Sequence, residues 1–117
     1  MTDFDEKRRG PRCAVDLFVE EFTDGRSFLH PAIDLSLHGI YILMADSQRA
    51  IDGLRDVHIQ FTLPGGHVVE THGRIVHVDD HRGQRGARIA FHTLAAEDEA
   101  AIRKTIETVT AAAAASA

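Results

Sequence analysis

Tryptophan is absent from this chain of 117 residues, which has one cysteine, one tyrosine and no long hydrophobic run. Each shortage closes off a class of function. The lone Cys13 forbids an internal disulfide and fits a reducing compartment. The opening Met1-Thr2-Asp3-Phe4-Asp5-Glu6 is acidic and lacks an apolar stretch, so it does not read as a secretory signal, and no later segment is long enough to cross a membrane. The expectation is a cytoplasmic protein without membrane insertion. A broad positive face is missing too, since the formal net charge is -5, which argues against a nucleic-acid polymer as partner. A barrel that stacks single-stranded RNA would want exposed aromatics, and these are scarce.

Hydrophobic residues at 44% and charged residues at 26% give the balance of one soluble globular domain, large enough for a single core. Residues 1–11 have no apolar periodicity and end in Gly10-Pro11, so they read as a flexible arm. From Arg12 the chain alternates. Cys13, Val15, Leu17 and Val19 share one face and Asp16 and Glu20 the other, the pattern of a half-buried strand. Thr23-Asp24-Gly25-Arg26 supplies a turn, and the hairpin returns through Ser27 to Leu29. Pro31 is expected to force a break or an edge position before a strand from Ile33 to Leu37.

Further strands are expected at Ile40 to Met44 and at Val57 to Leu63, the second ended by Pro64-Gly65-Gly66. Val68 to Val78 is long for one strand, and Gly73 in its middle marks a bulge or tight bend. Asp79 to Gln84 reads as a loop, and the last strand turns Ala87, Ile89 and Phe91 one way and Arg88 and His92 the other. Six or seven strands with little helix between them predict an all-β dominated fold, an antiparallel β-barrel. Glu97-Asp98-Glu99 then opens one amphipathic helix with Ile102, Ile106 and Val109 on its apolar stripe, placed to cover one end of the barrel. The division is an arm over 1–11, a barrel with its C-terminal α-helix over 12–110, and an alanine-rich tail over 111–117 that frays for want of packing.

Two clusters carry chemistry. Lys7-Arg8-Arg9-Gly10-Pro11-Arg12 concentrates positive charge on an acidic chain and spaces Arg8 and Arg12 as Arg-x-x-x-Arg. Such a patch suits a small anion better than a long polyanion. About twenty residues later comes Asp34-Leu35-Ser36-Leu37-His38-Gly39. On an extended chain Asp34 and Ser36 leave from one face while Leu35 and Leu37 point into the core, and Gly39 marks a bend or a close approach of backbone. Each cluster alone has a plainer reading, a solvated charge run and an ordinary turn. Their joint occurrence, Arg-x-x-x-Arg then Asp-x-Ser-x-x-Gly, resembles the paired signature of the PilZ domain, the bacterial receptor for cyclic di-GMP. Gly73-Arg74-Ile75-Val76 and Gly86-Ala87-Arg88-Ile89-Ala90-Phe91 resemble later family segments. His77 departs from the pattern, because many members carry a tryptophan or other large residue there.

The resemblance implies a six-stranded antiparallel barrel with a terminal helix and cyclic di-GMP as ligand, with no cofactor besides. By it, Arg8 and Arg12 contact phosphate and guanine, Arg9 adds a phosphate or stacking contact, and Asp34 and Ser36 hold a guanine from the barrel surface. Gly39 leaves room for the ligand against backbone. Arg88 is a further candidate and Arg74 a weaker one. The chemistry is apt: a guanidinium fork binds phosphate bidentately, donates to guanine O6 and N7 and stacks on bases, and an ionised Asp34 accepts from the guanine edge that donates. Output is expected to pass through an effector protein in motility, attachment or exopolysaccharide control. The competing reading is a PilZ-like interaction scaffold that binds no nucleotide. An enzyme is disfavoured. His72 and His77 are separated by an odd number and should face opposite sides of a regular strand, Asp79-Asp80-His81 reads as a polar loop rather than a metal site, and Cys13 reads as a buried thiol.

Overall fold

A two-residue turn sets the frame. In the computed structural model, which describes residues 12–44 and 55–116, Asp24 and Gly25 both adopt positive φ, 52° and 75°. That is the twist a two-residue hairpin loop requires. The turn joins β1 (Arg12–Thr23) to β2 (Arg26–Ser36), with β3 (Gly39–Leu43) following. Then come β4 (Asp56–Thr62), β5 (Val68–His81), β6 (Gln84–Phe91) and α1 (Ala96–Ser116). The strands close into a barrel in the order β1-β2-β3-β6-β5-β4, every neighbouring pair antiparallel. The described residues thus hold six strands, as the lower of the two expected counts.

Pro31 accounts for the difference: β2 runs through it without a break. Thr23 and Arg26 close the hairpin as a hydrogen-bonded pair, and alternation along the unbroken register places Phe18 opposite Pro31 as a non-hydrogen-bonded pair. Pairing to β3 begins only at Ala32. The imino nitrogen therefore faces a side where β2 has no strand partner among the described residues, which satisfies the edge expectation and removes the need for a break. The Asp79 to Gln84 segment is likewise mostly strand, with only Arg82 and Gly83, at φ 52° and 84°, turning.

Gly73 is not a bulge. The register of β5 on β6 slips between Ile75 and His77, and Gly73 is small for another reason: a Cβ there would lie 2.6 Å from the Ala90 carbonyl oxygen. The slip also corrects the reading of the histidines. One extra residue reverses the alternation, so His72 and His77 are both exposed on the outside of the barrel.

Inside, Val19, Leu35, Ile40, Ile59, Val69 and Ile89 are at most 1% exposed, and Ile102 and Ile106 of α1 join the same core. Fully burying each helix isoleucine contributes about 1.5–3 kcal/mol. That holds α1 against β1 and β2, and His67 Nε2–H adds a 2.7 Å bond to Asp98 Oδ1 near the helix start. The helix continues to Ser116, so the alanine run expected to fray is drawn as helix, though Ala111 to Ala115 are exposed and add nothing to the core.

A polar group interrupts the interior. Glu21 lies on the inward face of β1 at 2% exposure, accepts a 3.0 Å bond from Nε2–H of His30, itself fully buried, and receives Arg55 Nη2 at 3.0 Å. Removing a carboxylate that serves two donors leaves both uncompensated. Glu21→Ala should therefore lose about 3 kcal/mol of unfolding free energy. Urea titration checks this, and a midpoint equal to the parent's would show that the cluster contributes nothing.

Candidate ligand groove across β2, β3, β6 and β5

Antiparallel register lines up one row of side chains across four strands: Asp34 of β2 opposes Tyr41 of β3, Tyr41 opposes Arg88 of β6, and Arg88 opposes His77 of β5. Arg12 joins at the rim, paired with Ser36 where β1 begins. Arg12, Ser36, Tyr41, Arg88 and His77 line a groove of about 820 Å³ together with His38, Gly39, Asp79 and Phe91, and Asp34 stands beside it against two of the lining arginines. Asp34 sits between two cations. Its Oδ2 is 3.1 Å from Arg12 Nη1 and 3.7 Å from Arg88 Nη2, and all three side chains are partly buried, where such contacts are stronger than on open surface.

Ser36 and Gly39 do different work from that expected. The Ser36 hydroxyl is 6% exposed, accepts the N–H groups of His38 and Gly39 at 3.2 Å each, and donates at 3.4 Å to the Gly39 carbonyl. It shapes the β2–β3 turn. At Gly39 the close approach is by β6, since a Cβ would lie under 3.0 Å from the Ile89 carbonyl oxygen. Both residues fix the β2–β3 turn beside the groove.

Tyr41, Asp79, His38 and His77 were not singled out as ligand groups by the sequence. Tyr41 shared one signal with the site, the outward parity of Gly39 and Tyr41 against inward Ile40 and Ile42. Its ring lies over Gly86, where a Cβ would collide with the phenol, and the Arg88 guanidinium carbon is 5.4 Å from the ring centroid, in cation–π range. Tyr41 O–H donates to Asp79 Oδ1, while Asp79 Oδ2 is 3.3 Å from His77 Nε2.

Burial first, and then the Asp79 hydrogen bond and charge, push the Tyr41 hydroxyl from 10.0 up to about 12. A raised value means the fold favours the neutral phenol. The resulting stability is complete below the unfolded value of 10.0 and is lost as pH rises through about 12. With one tyrosine and no tryptophan in the chain, ultraviolet titration follows this group alone. The folded parent should show its midpoint near 12, lowered by Asp79→Asn; a parent midpoint at 10.0 would contradict the geometry.

Arg8 and Arg9 lie outside the described residues. Arg74 pairs with Asp56 at 3.3 Å on the exposed surface and is no part of the lining. Cys13 is buried, and burial followed by the charge of Asp34 pushes its thiol up, the opposite of nucleophile activation. Among the described residues no three His, Cys, Asp or Glu side chains converge on a metal position. A smaller cavity of about 300 Å³, between α1 and the β4–β5 turn, offers Lys104 as its one permanent cation. The larger groove is the better anion site.

In sequence, residues 6–108 match the PilZ domain family. The chain belongs to that family. No curated protein sequence matches it. Among solved structures, it is similar to the PilZ domain with c-di-GMP of YcgR from Escherichia coli at 16% identity and a TM-score of 0.75, covering 92% of this chain and 94% of that one. The Bacillus subtilis inhibitor of motility MotI/DgrA is similar at 17% identity and a TM-score of 0.74 over 83% of this chain, which spans only 48% of that one. The Borreliella burgdorferi PlzA protein in complex with c-di-GMP follows at 13% identity, a TM-score of 0.53 and coverage of 89% and 44%. At these identities the structures establish a shared PilZ fold, and this chain spans about half the length of two of the three.

Proposed function

We propose that this PilZ domain is a receptor for cyclic di-GMP that acts on a partner protein. The observation that carries the reading is Asp34 held between Arg12 and Arg88, the two arginines that line a groove of about 820 Å³. A guanine needs an acceptor for the N–H groups of its edge, and each phosphate needs a cation; carboxylate and guanidinium stand side by side here. Arg8 and Arg9, four and three residues before Arg12, would add contacts from the arm.

Energetics favour an arm that closes on the ligand. Micromolar affinity amounts to about 8 kcal/mol, whereas fixing each arm residue's backbone costs about 1–2 kcal/mol. Several arginine contacts must form together, and the ordered arm then presents a new surface to an effector in motility, attachment or exopolysaccharide control. Backbone NMR with and without ligand tests this; an arm equally rigid in both states rules it out.

One observation favours the scaffold reading instead. Asp34 is already served by Arg12 and Arg88 without a ligand, so a nucleotide must displace contacts as it makes new ones. Titration calorimetry separates the two: saturable binding of cyclic di-GMP, with cyclic di-AMP as control, supports the receptor. Silence at high micromolar concentration supports the scaffold.

A further inference from the structure

The charges lining the groove do not match the proposed ligand. Arg12 and Arg88 are the two permanent cations among its described lining residues, Asp79 lines it as a carboxylate, and Asp34 beside it is already paired to both arginines. Guanidiniums engaged in this way leave little positive charge over for a molecule with two phosphodiester charges. Two more groups face the same space. His38, on the β2–β3 turn, and His77, on β5, both line the groove and both are exposed. Resting on the receptor reading above, we propose that His38 and His77 are anion-binding residues of this site, and that cyclic di-GMP binds with uptake of protons onto them.

Other groups can be assigned in turn. Around His77 stand Asp79 at 3.3 Å, Arg88 across the β5–β6 pair, Asp80 next in the strand and Tyr41 through its bond to Asp79. Around His38 the N–H meets Ser36 Oγ and the carbonyl meets Phe91 N–H, so the main chain is fixed and the residue is exposed. Its charged neighbours in the lining are Arg12 and Arg88. As classes, arginine and aspartate side chains do not change charge between about pH 6 and 8, whereas imidazole does. Tyr41 stays neutral there. The ligand's phosphodiesters and guanines do not change charge in the same interval. Among the described groove residues, only the two imidazoles can supply the missing positive charge.

The sign follows from linkage. A dianion stabilises the protonated rings, so the complex holds more protons than the free protein and affinity rises as pH falls. A shift of about one unit in one ring gives about tenfold tighter binding near pH 6 than near pH 8. Calorimetry of the full chain with cyclic di-GMP at both pH values, in two buffers of different protonation enthalpy, reads affinity and proton uptake together. The expected result is that gain, with measurable uptake near neutral pH. The double variant His38→Gln, His77→Gln should gain nothing on acidification, whereas lysine at both positions should restore tight binding at the higher pH.

Binding that is equal at both pH values with no uptake overturns the inference and leaves the receptor reading standing. Undiminished uptake by the double variant overturns the assignment to these two residues. No binding at either pH brings down the receptor reading and this inference with it.

Discussion

Gly39→Ala should lower the thermal midpoint by about 10–20 °C, an outcome out of proportion to one methyl group. The reason is what the methyl meets. A Cβ at Gly39 points at main chain, under 3.0 Å from the Ile89 carbonyl oxygen, with the Ile89 carbonyl carbon at 3.3 Å and Ala90 Cα at 3.4 Å. A side chain in the way could turn aside, but β6 can yield only by separating from β3 along a register that extends from Gly39↔Ala90 to Leu43↔Gly86. Overpacking of this kind costs about 1–3 kcal/mol, with the upper end fitting a rigid backbone obstacle. Gly65→Ala is the control, since nothing lies within 4 Å of its added Cβ and its φ is not positive. A Gly39→Ala midpoint as close to the parent's as that of Gly65→Ala would refute the packing argument.

Asp34→Ala should weaken cyclic di-GMP binding by at least about tenfold. Two effects oppose each other in this variant. Loss of the carboxylate removes the acceptor for a guanine edge, worth about 1–3 kcal/mol of discrimination. It also frees Arg12 and Arg88, now two unneutralised guanidiniums in one groove, to attract any dianion. Specific recognition should outweigh general attraction because the latter is screened by salt. Discrimination against cyclic di-AMP should therefore collapse, and the remaining binding should depend more steeply on ionic strength. The fold should survive, a partly exposed ion pair contributing only about 1 kcal/mol. Unchanged affinity and unchanged selectivity would remove Asp34 from the site.

How much of this could be read from the residues depends on the kind of relation. Period-two alternation announced the strands and their inward faces, and the one helix announced its stripe through Ile102, Ile106 and Val109, because each is a pattern within one segment. Relations between segments were less legible. The slip between Ile75 and His77 needs the partner strand to be seen, so Gly73 drew the assignment of a bulge or tight bend, and His72 and His77 were expected on opposite sides. Arg12, Asp34 and Arg88 were named from motif and parity, and the structure brings those three together. Ser36 and Gly39 were named too, but their work on the turn depends on main-chain atoms that a motif does not display. Glu21 shares the parity of Val19 and could have been placed inside, yet its partners, His30 on β2 and Arg55 just before β4, come from other segments and gave no local signal.

Pro31 has one more effect. Along the first half of β2 no pairing to β3 is present among the described residues, and a foreign strand that added itself there could start an aggregate. The proline withholds a donor on that same open side, so an incoming chain would find the ladder interrupted near its middle. A residue that looked like an obstacle to folding thus serves as a guard against misassembly.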